Sequence, residues 1–172
     1  MKKVFFAIIA ILVSGAAVSA GDKQFAGSYR SSILDKESYV YSDASKAYVW
    51  VSGGKKVDRI QFVISRYAIG EFNAALESAG VQFAQYCASD GSAAVPVSAD
   101  FPAITVRWRG TSWNTVRKHF PYPYLTRTPD GTPVLLFAGK LRKGRSEKEY
   151  VLVFSSLDEI GEFTTLLSKL KK

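Results

Sequence analysis

Alternating apolar and polar positions predict extended segments in the first half of the chain. Between residues 57 and 65, apolar side chains alternate with polar ones, and this period of two is typical of a half-buried strand. The segments 38–42 and 46–52 are rich in tyrosine and valine, which favour strands, and a short strand is also expected near 28–34. The Gly53–Gly54 pair indicates a hairpin turn between the segments 46–52 and 57–65.

Two segments repeat apolar residues at intervals of three and four and therefore predict helices. The first is expected over 69–88, with Cys87 on its apolar stripe. Gly80 leaves an earlier end open, because glycine inside a helix costs about 1 kcal/mol relative to alanine. The second starts after Ser156, whose side chain can cap the backbone N–H of Glu159 while the Glu159 carboxylate reaches back. The apolar face of this second helix comprises Ile160, Phe163, Leu166, Leu167 and Leu170.

The remainder of the second half alternates strand-forming segments with turn signals. Strands are predicted at 103–109, 113–120, 133–140 and 150–155, and turns at 110–112 and 129–132. The segment 93–102 contains prolines and is expected to be a linker or an edge segment. The segment 121–124 is too rich in proline for a central strand, and 141–147 is expected to form a basic loop.

The same four residues occur at or near the start of both predicted helices. The sequence IGEF at 69–72 recurs at 160–163, and a strand pair with a Gly/Lys-rich turn precedes each copy. These matches predict an α+β domain of two β-meander–helix repeats, about 38–92 and 93–172, with antiparallel sheets and one helix packed on each. The alternative, two unrelated strand–helix junctions, remains open at this point.

The first 20 residues form a segment of a different kind. They have a basic start, an apolar run over 4–13, and small residues at Val18 and Ala20, which together are typical of a secretory signal peptide cleaved after Ala20. The remaining residues, 21–172, are expected to fold as one domain. No later apolar stretch is long enough for a membrane helix. We therefore expect an exported bacterial protein, either periplasmic or extracellular.

Composition and charge restrict the class of partner. The chain has 172 residues, of which 47% are hydrophobic and 13% aromatic, and this composition excludes a disordered protein. Its formal net charge is +8, and loss of Lys2 and Lys3 with the signal peptide lowers that charge to +6. A basic exported protein favours acidic partners, such as an anionic glycan, a lipid headgroup or an acidic protein surface. Nucleic acid is an improbable partner outside the cytoplasm.

The sequence carries none of the familiar catalytic or metal-site motifs. One cysteine, Cys87, and one histidine, His119, are present, so neither an internal disulfide nor a histidine-cluster metal site can form. HExxH, GxSxG and P-loop patterns do not occur. Cys87 is expected to be a buried small hydrophobe without a cationic activator. We therefore expect no cofactor and no metal site, and the residues favour a non-enzymatic protein, with an unrecognised hydrolase as an alternative.

The segment from Phe101 to Pro129 contains arginines and aromatic residues but no acidic residue. Alternation over 103–109 places Arg107 and Arg109 on one face and Trp108 on the other. Arginine can bind phosphate, sulfate or carboxylate groups in a bidentate manner. The candidate anion-binding residues are Arg107, Arg109, Arg117, Lys118, His119 and Arg127. The alternative is that these side chains only solvate the surface.

A second basic cluster lies on the predicted loop near residue 144. It comprises Lys140, Arg142, Lys143 and Arg145, and the acidic residues Glu147 and Glu149 follow it and partly offset its charge. Charged loops are commonly solvated surface. This cluster is therefore the weaker candidate for an anion-binding site.

Two resemblances follow from the order of these features. In topology alone, the tandem of strands and helices is similar to Whirly and PUR-type single-strand nucleic-acid-binding proteins. The signal peptide, the amphipathic helix, the Phe101-Pro102 pair before a tryptophan-bearing strand, and the final phenylalanine-bearing helix resemble small exported proteins of Bacteroidota with no known function. The second resemblance implies a secreted or periplasmic protein and no particular activity.

The sequence therefore predicts an exported, non-enzymatic binding protein with a basic–aromatic face for an anionic ligand or envelope partner. A structural, self-associating envelope protein is the main alternative. In that alternative, homo-oligomers form through edge strands at 38–42 and 93–102.

Overall fold

A computed structural model describes residues 23–52, 60–109 and 112–171. The predicted signal peptide, the Gly53–Gly54 turn and Gly110–Thr111 lie outside the described residues. The described residues form ten strands and two α-helices. In chain order these are β1 (Gln24–Ser31), β2 (Lys36–Ser42), β3 (Lys46–Val51), β4 (Ile60–Ser65), α1 (Ile69–Cys87), β5 (Val95–Pro96), β6 (Ile104–Arg109), β7 (Trp113–His119), β8 (Tyr124–Arg127), β9 (Pro133–Lys143), β10 (Ser146–Phe154) and α2 (Leu157–Ser168).

The larger sheet contains six antiparallel strands in the order β1-β2-β3-β4-β6-β7. Its inner face is apolar because the predicted alternation is realised: Ile60, Phe62 and Ile64 of β4 are all buried in the core. Strand β2 is paired on both sides. The expectation of an edge strand at 38–42 is therefore wrong, and the edges of this sheet are β1 and β7.

The smaller sheet contains four antiparallel strands in the order β10-β9-β8-β5. Strand β5 is an edge strand, as predicted for the proline-containing segment, whereas β8 was not predicted. The expected basic loop at 141–147 is also wrong, because β9 and β10 form one long hairpin that turns at Gly144 and Arg145. The inward alternation of β9 continues through Phe137 to Leu141, which is 2% exposed, and this burial extends the strand past its predicted end.

Helix α1 follows the predicted apolar stripe along most of its length. Phe72, Leu76 and Phe83 are buried, and Gly80 does not end the helix because it faces α2, where a Cβ atom would lie 3.7 Å from Ile160. Cys87 is exposed, so the prediction of a buried cysteine is wrong. Tyr86 occupies the last buried position of the helix instead.

Helix α2 begins with half of the predicted capping box. The Ser156 side chain accepts a hydrogen bond from the Glu159 backbone N–H at 3.1 Å. The Glu159 carboxylate instead accepts from the backbone N–H groups of Ser155, at 2.6 Å, and Ser32, at 3.0 Å. Burial alone would raise the pKa of Glu159, but these hydrogen bonds lower it. Glu159 therefore joins the start of α2 to the chain just after β1.

Both sheets and both helices contribute to one hydrophobic core. A chain of aromatic contacts crosses it, with ring centroids 5.2 to 6.2 Å apart, through Phe72, Phe101, Phe137, Phe154 and Phe163. The protein is thus a mixed α+β fold with two antiparallel sheets and two helices. None of the helices formed by the described residues is long and apolar enough to cross a membrane.

Candidate anion-binding face

The outer face of the larger sheet, opposite the core, carries polar and aromatic side chains. Alternation along β6 sends Arg107 and Arg109 outward, while Trp108 is buried on the inner side with 1% exposure. Alternation along β3 sends Lys46 and Tyr48 to the same outer face, because Ala47, Val49 and Val51 of this strand point into the core. Cations from β3 and β6 therefore share one surface.

These side chains surround a depression of about 410 Å³, which we call the cationic depression. Its lining comes from β3, β4, β6, β7 and the residue before β6, and it includes three cations. The lining residues are Lys46, Tyr48, Val63, Ser65, Ala103, Thr105, Arg107, Thr115 and Arg117. No carboxylate is among them. This is the arrangement that suits a compact anion.

Arg107 is held in a defined orientation at the border of the depression. Its Nε donates a hydrogen bond of 2.8 Å to Oε1 of Gln61, which lies directly opposite on β4 and is 1% exposed. The guanidinium carbon lies 4.4 Å from the Trp113 ring centroid and 5.4 Å from that of Tyr48. Arg107 is therefore half-buried rather than fully exposed, and stacking together with the Nε bond fixes its direction.

A β-bulge determines which residues of β7 join this face. Val106 pairs with Val116 but Ile104 pairs with His119, so β7 carries one extra residue there. Lys118, in the bulge, has a φ of 55°. Since one extra residue reverses the alternation of the strand, Arg117 stays on the outer face and His119 turns inward.

His119 is consequently separated from the arginines with which the sequence had grouped it. Its Nε2 lies 2.8 Å from the Tyr150 hydroxyl on β10, and burial lowers its pKa. Burial likewise raises the pKa of Tyr150 to about 12. His119 therefore takes part in packing the two sheets together and not in the cationic depression.

Arg127 is also placed away from this face. It lies on β8 in the smaller sheet, and its guanidinium donates to the backbone carbonyls of Gly91, Gly131 and Ser89 at 2.7 to 3.0 Å. These three bonds join the segment after α1 to the turn between β8 and β9. Arg127 therefore has a structural role, which sequence spacing alone could not show because two of its partners, Ser89 and Gly91, are distant along the chain.

Lys23 and Tyr48 are residues of this face that the sequence analysis missed. The Lys23 ammonium lies 3.8 Å from the Tyr48 ring centroid, and its pKa is lowered by burial and by the nearby charge of Arg107. The Tyr48 hydroxyl donates to Asp43 at 2.5 Å, and burial together with that bond raises the pKa of Tyr48 to about 12. The alternation of Lys46, Tyr48 and Trp50 was the signal that could have located β3 on this face.

Asp43 is a carboxylate beside the depression, although it does not line it. Burial alone would raise its pKa, but hydrogen bonds from Tyr48, Ser45 and Lys46 lower the pKa to about 2. Asp43 is therefore ionised throughout the physiological range. Its Oδ1 accepts two backbone N–H bonds that shape the turn before β3.

The arginines of this face are not neutralised by ion pairs within the described chain. The salt bridges between described residues join Arg30 to Asp35 and Lys140 to Glu149. Neither of them involves Arg107, Arg109 or Arg117. Arg109 is exposed on the same outer face, opposite Trp113, but does not line the depression.

No protein-family model matches the chain, and neither a curated protein nor a solved structure is significantly similar to it. Within residues 23–52, 60–109 and 112–171, no three His, Cys, Asp or Glu side chains lie together in a way that could hold a metal ion. The chemistry of the outer face is therefore the basis for inferring a function.

Proposed function

We propose that the protein is an exported, non-enzymatic binding protein whose cationic depression holds the anionic group of a ligand. The observation that carries this proposal is the convergence of Lys46, Arg107 and Arg117 on one depression without a carboxylate in its lining. Like charges placed together repel each other, although salt screens them over about 8–10 Å. A bound phosphate, sulfate or carboxylate group would remove that repulsion.

The fixed orientation of the Arg107 side chain supports the proposal in addition to the charge of the depression. Because Gln61 and Trp113 already fix Arg107, little side-chain entropy would be lost when a ligand binds. The hydroxyls of Thr105 and Thr115, which also line the depression, could donate to the same anion. An anionic glycan, a lipid headgroup and an acidic protein surface all present such a group.

Sulfate is a suitable first probe because it presents an anionic group without a sugar or aromatic ring, so it tests the depression alone. We expect it to shift the amide NMR signals of Thr105 and Thr115. Arg117→Ala should weaken sulfate binding about tenfold, since a charge-assisted hydrogen bond contributes about 1.5–3 kcal/mol. Arg142→Ala removes an equally exposed arginine from the β9–β10 hairpin and should leave the sulfate affinity unchanged. Equal weakening by both variants, or no shift in the wild type, would reject the proposal.

Export is part of the proposal and rests on the segment 1–20. Cleavage after Ala20 should give a mature protein that begins at Gly21. N-terminal sequencing of the protein recovered from the cell envelope tests this. Recovery of chains that keep Met1 would contradict it.

We also propose that the fold consists of two related units, each a strand hairpin followed by a helix. In support, β3–β4–α1 and β9–β10–α2 have the same order, and Phe72 and Phe163 from the shared IGEF sequence are each 1% exposed. Equivalent positions should respond alike, so either phenylalanine changed to alanine should cost about 3–5 kcal/mol in unfolding free energy. A loss below about 1 kcal/mol for either one would contradict the equivalence, because Phe→Ala at a fully buried site costs more than that.

A further inference from the structure

An aromatic strip adjoins the cationic depression on the same outer face. It consists of Phe25, Tyr39 and Tyr41, and Phe25 and Tyr39 are 58% and 42% exposed. The ring centroid of Phe25 lies 5.4 Å from that of Tyr41 and 6.4 Å from that of Tyr39. Exposed aromatic rings grouped in this way have apolar surface that the fold itself does not cover.

Strand register makes the strip continuous with the depression. Phe25 pairs with Tyr41 across β1 and β2, Tyr41 pairs with Tyr48 across β2 and β3, and Tyr48 lines the depression. At about 4.8 Å between neighbouring strands, the path from β1 to β4 is roughly 15 Å long. This length is enough for two or three rings laid side by side.

The two ends of this path carry opposite charge. At the aromatic end, the Glu37 carboxylate accepts hydrogen bonds from the Tyr39 hydroxyl at 2.8 Å and from the Ser28 hydroxyl at 3.2 Å. Midway along the path, Asp43 accepts from the Tyr48 hydroxyl. Three cations, Lys46, Arg107 and Arg117, border the far end. Nearer the aromatic end, Lys23 lies over the Tyr48 ring, and Arg30, opposite Glu37, is paired with Asp35. The surface therefore matches a ligand with one anionic end and an uncharged body.

We propose that this face binds a saccharide with a single terminal anionic group. This inference rests on the proposed function, because the anionic group occupies the cationic depression. The uncharged sugar rings lie on the aromatic strip, where their apolar CH faces pack on Phe25 and Tyr39. Sugar hydroxyls donate to the remaining lone pairs of the Glu37 and Asp43 carboxylates.

A single-stranded nucleic acid fits the same surface less well. Base stacking on aromatic rings is sequence-tolerant, but the groove must also neutralise a phosphate at every nucleotide. Here the Glu37 and Asp43 carboxylates lie beside the aromatic part of the path, so successive phosphates would meet these two acidic groups as well as the Lys23 ammonium. A neutral sugar body avoids that repulsion.

Titration calorimetry with four probes tests the proposal. The probes are sulfate, disaccharides that end in glucuronic or galacturonic acid, the corresponding neutral disaccharides, and an oligothymidylate. At least one uronate disaccharide should bind ten or more times tighter than its neutral counterpart. A Phe25→Ala/Tyr39→Ala double variant should lower that affinity at least fivefold and leave sulfate binding unchanged. Both side chains are exposed, so the variant should remain folded, which circular dichroism can check.

The outcomes separate this inference from the proposed function. If sulfate fails to bind the wild type, the proposed function falls and this inference falls with it. If sulfate binds but the aromatic variant leaves disaccharide affinity unchanged, or if the oligothymidylate binds more tightly than either uronate disaccharide, only the saccharide inference is overturned. A concentration-dependent dimer in light scattering that the aromatic variant abolishes would also overturn it, because a second copy would then cover the strip.

Discussion

The cationic depression and the β9–β10 hairpin contain similar numbers of basic side chains and yet differ in how those charges are held. In the depression, Arg107 is bonded to buried Gln61 and stacked on Trp113, and no carboxylate lines the surface. On the hairpin, Lys140 is bridged to Glu149 at 3.2 Å and Arg142 lies opposite Glu147. Every basic side chain of the hairpin cluster is exposed.

Similar numbers of basic side chains can therefore be held in different ways on two surfaces of one protein. Exposed ion pairs contribute little, about 0–1 kcal/mol, because water and salt screen them and two long side chains must be ordered. A cation held beside aromatic rings, on a face without acidic neighbours, keeps its charge available for a ligand. Orientation by neighbouring strands, rather than the number of lysines and arginines, distinguishes the two regions.

The largest expected effect concerns Trp108, which connects both regions. Trp108 is buried between the two arginines of β6, and its Nε1 donates to the Ser146 hydroxyl, next to the turn of the hairpin, at 3.0 Å. Trp108→Ala should lower the free energy of unfolding by about 3–5 kcal/mol, as for other large core residues. Urea denaturation measures this. A small effect would mean that the depression and the hairpin do not depend on a common core.

We expect the alanine substitutions of Arg107 and Arg142 to differ in their effect on stability, by less than the effect of Trp108→Ala. Arg107→Ala leaves the buried Gln61 side chain without its partner, and an unsatisfied buried polar group costs about 1–3 kcal/mol. Arg142→Ala removes an exposed side chain and should leave the denaturation midpoint unchanged. Equal midpoints for the two variants would show that Arg107 is ordinary solvated surface and would remove the contrast between the clusters.

Heparin chromatography should reveal a difference between the two clusters in their response to a polyanion. Arg117→Ala and Arg142→Ala lower the net charge equally, so a purely charge-driven interaction would shift both elution points by the same amount of salt. We expect Arg117→Ala to elute at clearly lower salt, because its charge converges with those of Lys46 and Arg107. Elution of both variants at the same salt concentration would contradict a preorganised anion site in the cationic depression.

The smallest expected effect is a pH dependence of stability from His119, at the inner border of the cationic face. Burial lowers the pKa of His119 in the folded protein, so between that pKa and the unfolded value of about 6.5 the unfolded state binds more protons. Stability should therefore be complete above pH 6.5 and decrease as the pH falls below it. His119→Gln should flatten this part of the profile in thermal denaturation. The sulfate affinity should be lowered by Arg117→Ala and unchanged by His119→Gln.

Elements with a strong local pattern were predictable from the sequence. The apolar stripe gave α1 to within one residue of its end, and the alternation in β4 and β6 gave the buried positions of Phe62 and Trp108. Errors occurred where a local pattern competes with packing. Leu141 extends β9 through the expected loop because its side chain is buried, and Tyr86 displaces Cys87 from the core at the end of α1.

The candidate site could be only partly predicted. Arg107, Arg109 and Arg117 were grouped correctly on one face because two neighbouring strands follow a period of two. His119 was not separable from them, because a single extra residue at Lys118 reverses the alternation and nothing in the local sequence marks it. Lys46 was described only as part of a strand, since the pairing that brings β3 near β6 passes through β4.

Helices and strand alternation can be read from the sequence because they depend on residues only a few positions apart, and the positive charge of the chain follows from its composition. Contacts between residues far apart along the chain became visible only in the folded protein. Arg127 was directed to three backbone carbonyls and Arg107 to Gln61, and the depression was assembled from β3, β4, β6 and β7. The physical reason is that strand order and register minimise the free energy of the whole core, so a side chain's neighbours across a sheet are set by residues far away along the chain.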